Sequence, residues 1–400
     1  MKETISMMKM LGLFMMVILM TLACDGGNRG CGGFNSTPTP TPEPTPDTTP
    51  VPTPNPDSTA VSLHGQLRVE GTQLVDQYGD PVQLKGMSSH WVNWFPEFVN
   101  EDAIGWLVEN KKMTLFRVAM GVEPEGAYLD LQTRDFIRGK VVEAVDACIK
   151  LGIYVIIDWH DHHAYKNENE AQEFFHDMAV KYKGTPNVLY EVFNEPLDKD
   201  IDEYGNEFTV TWKDVVKPYA QKMVNTIRDI DTDNIILVST PEWCQQPEQA
   251  ANSPIEGSNI MYTLHFYATS HGSYLRDRAD KAMKKIPIFV SEWGASYYTG
   301  NGGFDRDAAE EWIKWMNGGN SQNTLISWAA WNLADKFEST SILKVGTSPC
   351  AYGTGIGETC PYDTTGSNET NIQPWSEDVF KGHGPFVLEK MEEVNPYITQ

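Results

Sequence analysis

Two carboxylates stand where a buried run should end. Glu195 follows Val188-Leu189-Tyr190-Glu191-Val192-Phe193 and Asn194, and Glu292 follows Ile288-Phe289-Val290-Ser291. A charge set against an apolar run is costly unless it is paired or put to use. A pair of carboxyl groups suits acetal hydrolysis: one protonates the departing oxygen while the other attacks the acetal carbon or activates water there. A gap of about 5–5.5 Å between them gives retention at that carbon, and about 6.5–9.5 Å gives inversion. The alternative reading of the residues alone is two ordinary salt-bridged glutamates.

Such residues need rigid strands beneath them. Short apolar runs at 82–86, 115–120, 154–159, 188–193, 235–239, 260–266, 288–291 and 325–331 give eight strand candidates. Several are apolar nearly throughout, as expected of strands covered on both faces. Helical patterns lie between them. Asp135 can cap a helix on which Ile137, Val141, Val145, Cys148 and Ile149 follow the helical period, and 213–229 and 305–316 behave alike. A small hairpin, 67–70 with 73–75 around Gly71-Thr72, precedes the first unit. Eight strand-then-helix units predict an α/β fold, a (β/α)₈ TIM barrel. An open doubly wound sheet is the runner-up, without a Gly-rich phosphate turn to support it. The strand ends then read His90, Arg117, His160, Asn194-Glu195, His265 with Tyr267, Glu292 and Trp331. Active-site residues sit at that end of such a barrel.

The N-terminus reads as an export signal over 1–23, with Lys2 and Lys9 before an apolar run from Leu11 to Ala23. Thr21-Leu22-Ala23-Cys24 resembles a bacterial lipoprotein box, with Thr21 where Leu is usual, so Cys24 is a candidate lipid anchor; a plain signal peptide is the other reading. Residues 24–57 form a Pro/Thr-rich linker, since nine of the 24 prolines lie in 37–57 and each fixes φ and lacks a donor. The single catalytic domain is 58–400. The formal charge of −24 excludes nucleic acid as a partner, because phosphate binding needs clustered Lys and Arg. The six cysteines form no CxxC pair; Cys148 reads as a buried thiol, and Cys350 and Cys360 pair if the compartment is oxidising.

Seven segments carry a resemblance: Leu84-Lys85-Gly86-Met87, Phe116-Arg117-Val118-Ala119-Met120, Ile157-Asp158-Trp159-His160, Val192-Phe193-Asn194-Glu195-Pro196, His265-Phe266-Tyr267, Ser291-Glu292-Trp293-Gly294, and Trp331-Asn332-Leu333-Ala334-Asp335-Lys336. From 58 to the C-terminus the chain is similar to glycoside hydrolase family 5, and within it to the bacterial endoglucanase branch. The resemblance implies a secreted retaining endo-β-1,4-glucanase, a monomer acting on β-1,4-glucan and cello-oligosaccharides without cofactor or metal. It implies Glu195 as general acid/base and Glu292 as nucleophile. Arg117 is then expected to keep Glu292 ionised, and Tyr267 to orient it. Asn194 should meet the sugar 2-hydroxyl, with His160 and His265 completing the floor. Trp331 should lie under the sugar at the cleavage point, and His90, Trp94 and Lys336 one sugar further on. Glu195 is expected to have a raised pKa. Where close relatives often carry Tyr, this chain has Gly121; Tyr128 is the candidate replacement.

Three other readings remain. His160-Asp161-His162-His163 suggests a metal site, but its spacing sets no two imidazoles on one helical face. A β-mannanase would share both carboxylates and differ at the axial 2-hydroxyl. A barrel that only binds polysaccharide would have no need of Arg117 and Tyr267. No separate cellulose-binding module is expected, which favours soluble or amorphous glucan.

Overall fold

Alternate residues of eight parallel strands point into one closed barrel. In chain order these are β1 (Lys85–Ser89), β2 (Leu115–Gly121), β3 (Tyr154–His160), β4 (Val188–Glu191), β5 (Ile236–Val238), β6 (Ile260–Tyr267), β7 (Ile288–Gly294) and β8 (Trp328–Leu333). Each pairs with the next, and β8 closes on β1. The computed structural model describes residues 58–353 and 373–394. The export signal 1–23, Cys24, the linker to 57 and Cys360 lie outside them.

Every strand residue except Tyr267 is buried, because helices cover the outer face and side chains fill the inner one. The helices of the outer ring are α1 (Glu101–Lys111), α2 (Arg134–Leu151), α3 (Glu168–Tyr182), α4 (Lys217–Arg228), α5 (Pro247–Asn252), α6 (Ser273–Ala282), α7 (Arg306–Met316) and α8 (Gly384–Glu392), one after each strand, besides short helical turns at Ala60–His64 and Pro241–Cys244. Asn100 caps α1 by accepting the Ala103 N–H at 2.8 Å, and Asp305 caps α7 through Ala308 N–H at 3.0 Å. The cap position of α2 is Thr133, not Asp135. Asp135 sits in the first turn, where the helix dipole still favours a negative charge.

The inner face changes character along the barrel. Leu115, Tyr154, Ile156, Leu189, Leu237, Met261 and Phe289 pack at the N-terminal end, together with Leu74 of the hairpin Arg68–Glu70/Gln73–Val75 and Leu67 just before it. Two residues further along the same strands come Arg117, Asp158, Glu191, Thr263 and Ser291. The strand period of two therefore stacks a polar layer on an apolar plug. The expected first and last strands are shifted forward, to 85–89 and 328–333: Val82 and Leu325 are buried and bond to the hairpin instead, through Val82 N to Leu74 O and Leu325 N to Gln73 Oε1, both at 3.0 Å. Cys148 is a buried free thiol, as expected. Cys350 is disulfide-bonded, with its expected partner Cys360 outside the described residues.

Candidate active site

Arg117 ties the polar layer together. It is fully buried, and its Nε and Nη2 fork onto Glu191 at 2.7 and 3.3 Å. Nη1 donates to Glu292 Oε2 at 3.1 Å and to Ser88 Oγ at 3.3 Å; Nη2 donates to Asn194 Oδ1 at 2.7 Å and lies 3.0 Å from Asp158 Oδ2. Parallel register explains the convergence, since Ser88 pairs with Arg117 and Asp158 with Glu191. A planar guanidinium with five donors can serve so many acceptors at once.

The two carboxylates stand above this layer. Tyr267 donates its hydroxyl to Glu292 Oε1 at 2.7 Å, and Glu292 is only 4% exposed. His265 Nδ1 donates to Glu195 Oε1 at 2.9 Å. Ser291 gives its hydroxyl proton to Glu191 Oε1 at 2.7 Å, so its oxygen is left to accept from His265 Nε2 at 2.9 Å. Both ring nitrogens of His265 thus face acceptors, the environment of an imidazolium. An oxygen of Glu195, an oxygen of Glu292 and a nitrogen of His265 all lie within 4.8 Å of one another.

Burial disfavours a charged His265, yet Cys244, Glu191 and Glu195 around it hold its pKa well above the usual imidazole range. Burial pushes Glu195 up, but the hydrogen bond and charge of His265 outweigh it and bring the carboxyl below its ordinary value. Burial and the Glu195 charge push Glu292 up, against His265, Arg117 and Tyr267. This reverses the order expected from the sequence. The reason is division of labour: the one Arg117 charge is shared among Asp158, Glu191 and Glu292, whereas Glu195 has His265 beside it. Burial, opposed by Arg117, raises Asp158 strongly. Burial and the Arg117 charge push His160 well down, so it is a neutral ring that donates through Nδ1 to Asp158 Oδ2 at 2.7 Å. Its Nε2 then carries a free lone pair.

A cleft of about 280 Å³ opens over these groups, lined by both carboxylates with His90, Trp94, His160, Asn194, Trp331 and Lys336. The His160 and Trp331 rings lie parallel, 5.3 Å apart, and His90 is 5.1 Å from Trp331. Lys336 Nζ is 3.3 Å from His90 Nε2. The eleven residues expected from the sequence are thus gathered at the C-terminal end of the barrel, with Tyr267 and Glu195 joining this cleft to a second one.

Residues 75–337 match the family model described as cellulase (glycosyl hydrolase family 5). The chain belongs to that family. It is 44% identical over 277 residues to endoglucanase A of Evansella cellulosilytica, covering 68% of this chain and 53% of that one. It is 41% identical over 297 residues to endoglucanase N of Pectobacterium atrosepticum, covering 73% and 62%. The chain therefore spans little more than half the length of these curated relatives. Among solved structures, the catalytic domain of Thermobifida fusca endoglucanase Cel5A superposes with a TM-score of 0.71 at 31% identity, covering 84% of this chain and 100% of that one. A structure from Cytophaga hutchinsonii gives 0.72 at 38%, covering 84% and 96%.

Several polar partners in this family 5 site were not singled out from the sequence. Asp158, Glu191 and Ser291 break otherwise apolar strands, which is a usable signal for an inward polar layer. Glu338 has no such signal; it accepts from Asn332 Nδ2 at 3.0 Å, lies 2.7 Å from Lys336 Nζ and lines the cleft. The second cleft, about 450 Å³, is lined by Glu195, His265, Tyr267, Glu242, Trp243, Gln245, His271 and Tyr298. Trp243 is aimed there by a left-handed turn, with φ of 55°, 52° and 62° at Glu242, Trp243 and Cys244. Hydrogen bonds from Glu242 N to Leu197 O (3.2 Å) and Trp243 N to Pro196 O (2.8 Å) hold it against its conformational cost.

Tyr128 is not part of the site. It is buried against Trp159, Phe174 and Arg134, and so does not replace the aromatic missing at Gly121. His162 and His163 do follow the strand into a loop. His163 Nδ1 meets Glu123 Oε2 at 2.7 Å, and its backbone N–H donates to Asp161 Oδ1 at 2.8 Å. Burial and then the Glu123 charge push Asp161 up to about 6. Since an unfolded Asp titrates near 4, the folded chain holds a proton there that the unfolded chain has released. Stability then falls as pH rises through about 4 to 6. Glu123→Gln removes the neighbouring charge, and denaturation melts are expected to show a gain of about 1 kcal/mol at pH 8 and none at pH 4. An equal gain at both pH values would rule this cause out.

Proposed function

We propose that the protein is a retaining endo-β-1,4-glucanase, with Glu195 as general acid/base and Glu292 as nucleophile. The observation that carries the reading is the closeness of these two carboxylates, with one oxygen of each no more than 4.8 Å from the other. That favours direct attack over the wider gap, about 6.5–9.5 Å, that admits a water. The names of the relatives point to the same activity.

The linings of the two clefts support one polarity of substrate binding. Glu292 lines only the cleft that holds His90, Trp94, Trp331 and Lys336, so the sugar that becomes bonded to the enzyme lies there. Glu195 lines both clefts, as a group protonating the bridging oxygen must. The leaving end lies along Trp243 and Tyr298. Cleavage needs the single proton of the pair on Glu195. Positive charge developing at the anomeric carbon favours anionic Glu292 below it, and the glycosidic oxygen draws the proton from Glu195 above. Asn194 gives its Oδ1 to Arg117, which leaves its NH₂ for the sugar 2-hydroxyl. The neutral His160 offers Nε2 as an acceptor. Once Glu292 is esterified its charge is gone, and Glu195, now anionic beside His265, takes a proton from water as the water oxygen bonds to the anomeric carbon and the ester bond breaks, which frees Glu292 as a carboxylate.

No cofactor or metal is called for in this scheme. The reading extends to a monomer exported behind 1–23, on the linker 24–57, either free or held by lipid at Cys24. The test is reducing-sugar release from carboxymethylcellulose, mannan and xylan by the full chain, with proton NMR of the first product formed. Activity mainly on the cellulose derivative with the β-anomer appearing first is expected. A first-formed α-anomer would overturn retention, and preference for mannan would move the substrate to the axial 2-hydroxyl sugar.

A further inference from the structure

Gly121 ends β2 at the rim of the cleft, and space rather than backbone conformation explains it. Its φ lies outside the left-handed region that favours glycine, but a Cβ there would fall 2.0 Å from Asn93 Oδ1 and 3.1 Å from Trp91 Cε3. Any side chain would force the Asn93 amide to swing away and crowd the Trp91 ring, both of which belong to the loop after β1. That loop is seated firmly: Val92 N donates to Ala119 O at 3.0 Å, Val92 is fully buried, and Trp94 N and Phe95 N both donate to Trp91 O at 2.9 and 3.1 Å. Neither polar atom of the Asn93 amide has a partner, although both are buried. Leaving such atoms unpaired is unfavourable, so the loop keeps this close position against a local penalty.

The close approach delivers Trp91. Its ring stacks on Trp94 at 4.9 Å and 26°, stands edge-on to His160 at 4.4 Å and 86°, and lines the same cleft as Glu195 and Glu292. His160 in turn lies parallel to Trp331. Trp331, His160, Trp91 and Trp94 therefore form one continuous wall running outward on the Glu292 side.

We infer that Trp91, seated by the absence of a side chain at Gly121, is a specificity-determining contact for the bonded end of the glucan beyond the sugar at the cleavage point. This deepens the glucanase reading and rests on it. Every hydroxyl of a β-1,4-linked glucose unit is equatorial, so its ring faces are C–H surfaces that fit an indole. The axial 2-hydroxyl of mannose interrupts one such face. Trp91 contacts the substrate; Gly121 is a positioning residue acting through it.

The test uses the full chain and chromogenic aryl β-glycosides of one, two and three glucose units, which all release the same leaving group. For Trp91→Ala, KM on the two- and three-unit substrates is expected to rise about 10-fold, as when a buried Trp contact is truncated. Trp91→Phe should recover most of this loss. The one-unit substrate should respond less than about 2-fold. Gly121→Ala should shift KM in the same direction as Trp91→Ala with its melting temperature kept, since it moves the Trp91 ring and the Asn93 amide without touching the chemistry or the loop's backbone. Equal effects on one-, two- and three-unit substrates, or none, would overturn the inference while wild-type turnover left the glucanase reading standing. A wild-type chain inactive on all of them, and on carboxymethylcellulose, would overturn that reading and this inference with it.

Discussion

Replacing Glu292 by Ala is expected to lower turnover of carboxymethylcellulose by about 10⁴-fold or more, because no second carboxylate reaches the anomeric carbon. The fold should survive. Burial and the Glu195 charge raise the pKa of Glu292, so its anionic form destabilises the folded state near neutral pH, and the melting temperature is expected to hold or rise. A small anion such as azide then decides the role. In Glu292→Ala it would attack from the emptied side in a single displacement and give the inverted glycosyl azide. In Glu195→Gln, with a good leaving group that needs no acid, Glu292 would attack first and azide second, giving the retained product. Exchanged stereochemistry would exchange the two roles. Glu195→Gln also removes the charge that raises Glu292, so the acid limb of the pH profile on such a substrate should move to lower pH.

Arg117→Leu should carry the largest stability effect, a loss of about 3–5 kcal/mol, because it leaves buried carboxylates without their cation. Asp158, Glu191 and Glu292 all face that guanidinium, at 3.0, 2.7 and 3.1 Å. The pH dependence gives the sign. Without Arg117 the lowered pKa of Glu191 rises, and those of Asp158 and Glu292, already raised by burial, rise further, so the three hold more protons than the unfolded chain as pH rises. The variant should therefore be nearly as stable as wild type near pH 4 and fall behind it toward pH 7, as read by chemical denaturation. Arg117→Lys should recover only part of the loss, since one ammonium cannot fork onto Glu191 and also reach Glu292 and Asn194. A pH-independent deficit under 1 kcal/mol would mean that the carboxylates are not held in their ionised form by this residue.

The chain by itself determined the barrel and the place of its chemistry. Both are local properties: an apolar run of a few residues makes a covered strand, and the residue after it stands at the barrel's open end. His90, Arg117, His160, Glu195, His265, Glu292 and Trp331 were readable in that way. So was the hairpin under the barrel, from Gly71 between two short β-rich runs. Where a boundary missed, as at Asp135 or in β1 and β8, the competing choice lay within a few residues and left the site untouched.

Only the tertiary structure decided how those residues act on one another. Sequence put Arg117 beside Glu292; the fold added Asp158 and Glu191 to the same guanidinium and His265 to Glu195, and so reversed the expected order of the two carboxyl pKa values. Sequence marked Gly121 as a missing aromatic and offered Tyr128 seven residues on. The fold buried Tyr128 under Trp159 and Phe174 and brought Trp91 in from the preceding loop instead. Electrostatic and packing energies depend on distances of a few ångströms between atoms. The groups concerned stand tens to nearly two hundred positions apart in the chain, and closing the barrel is what sets those distances.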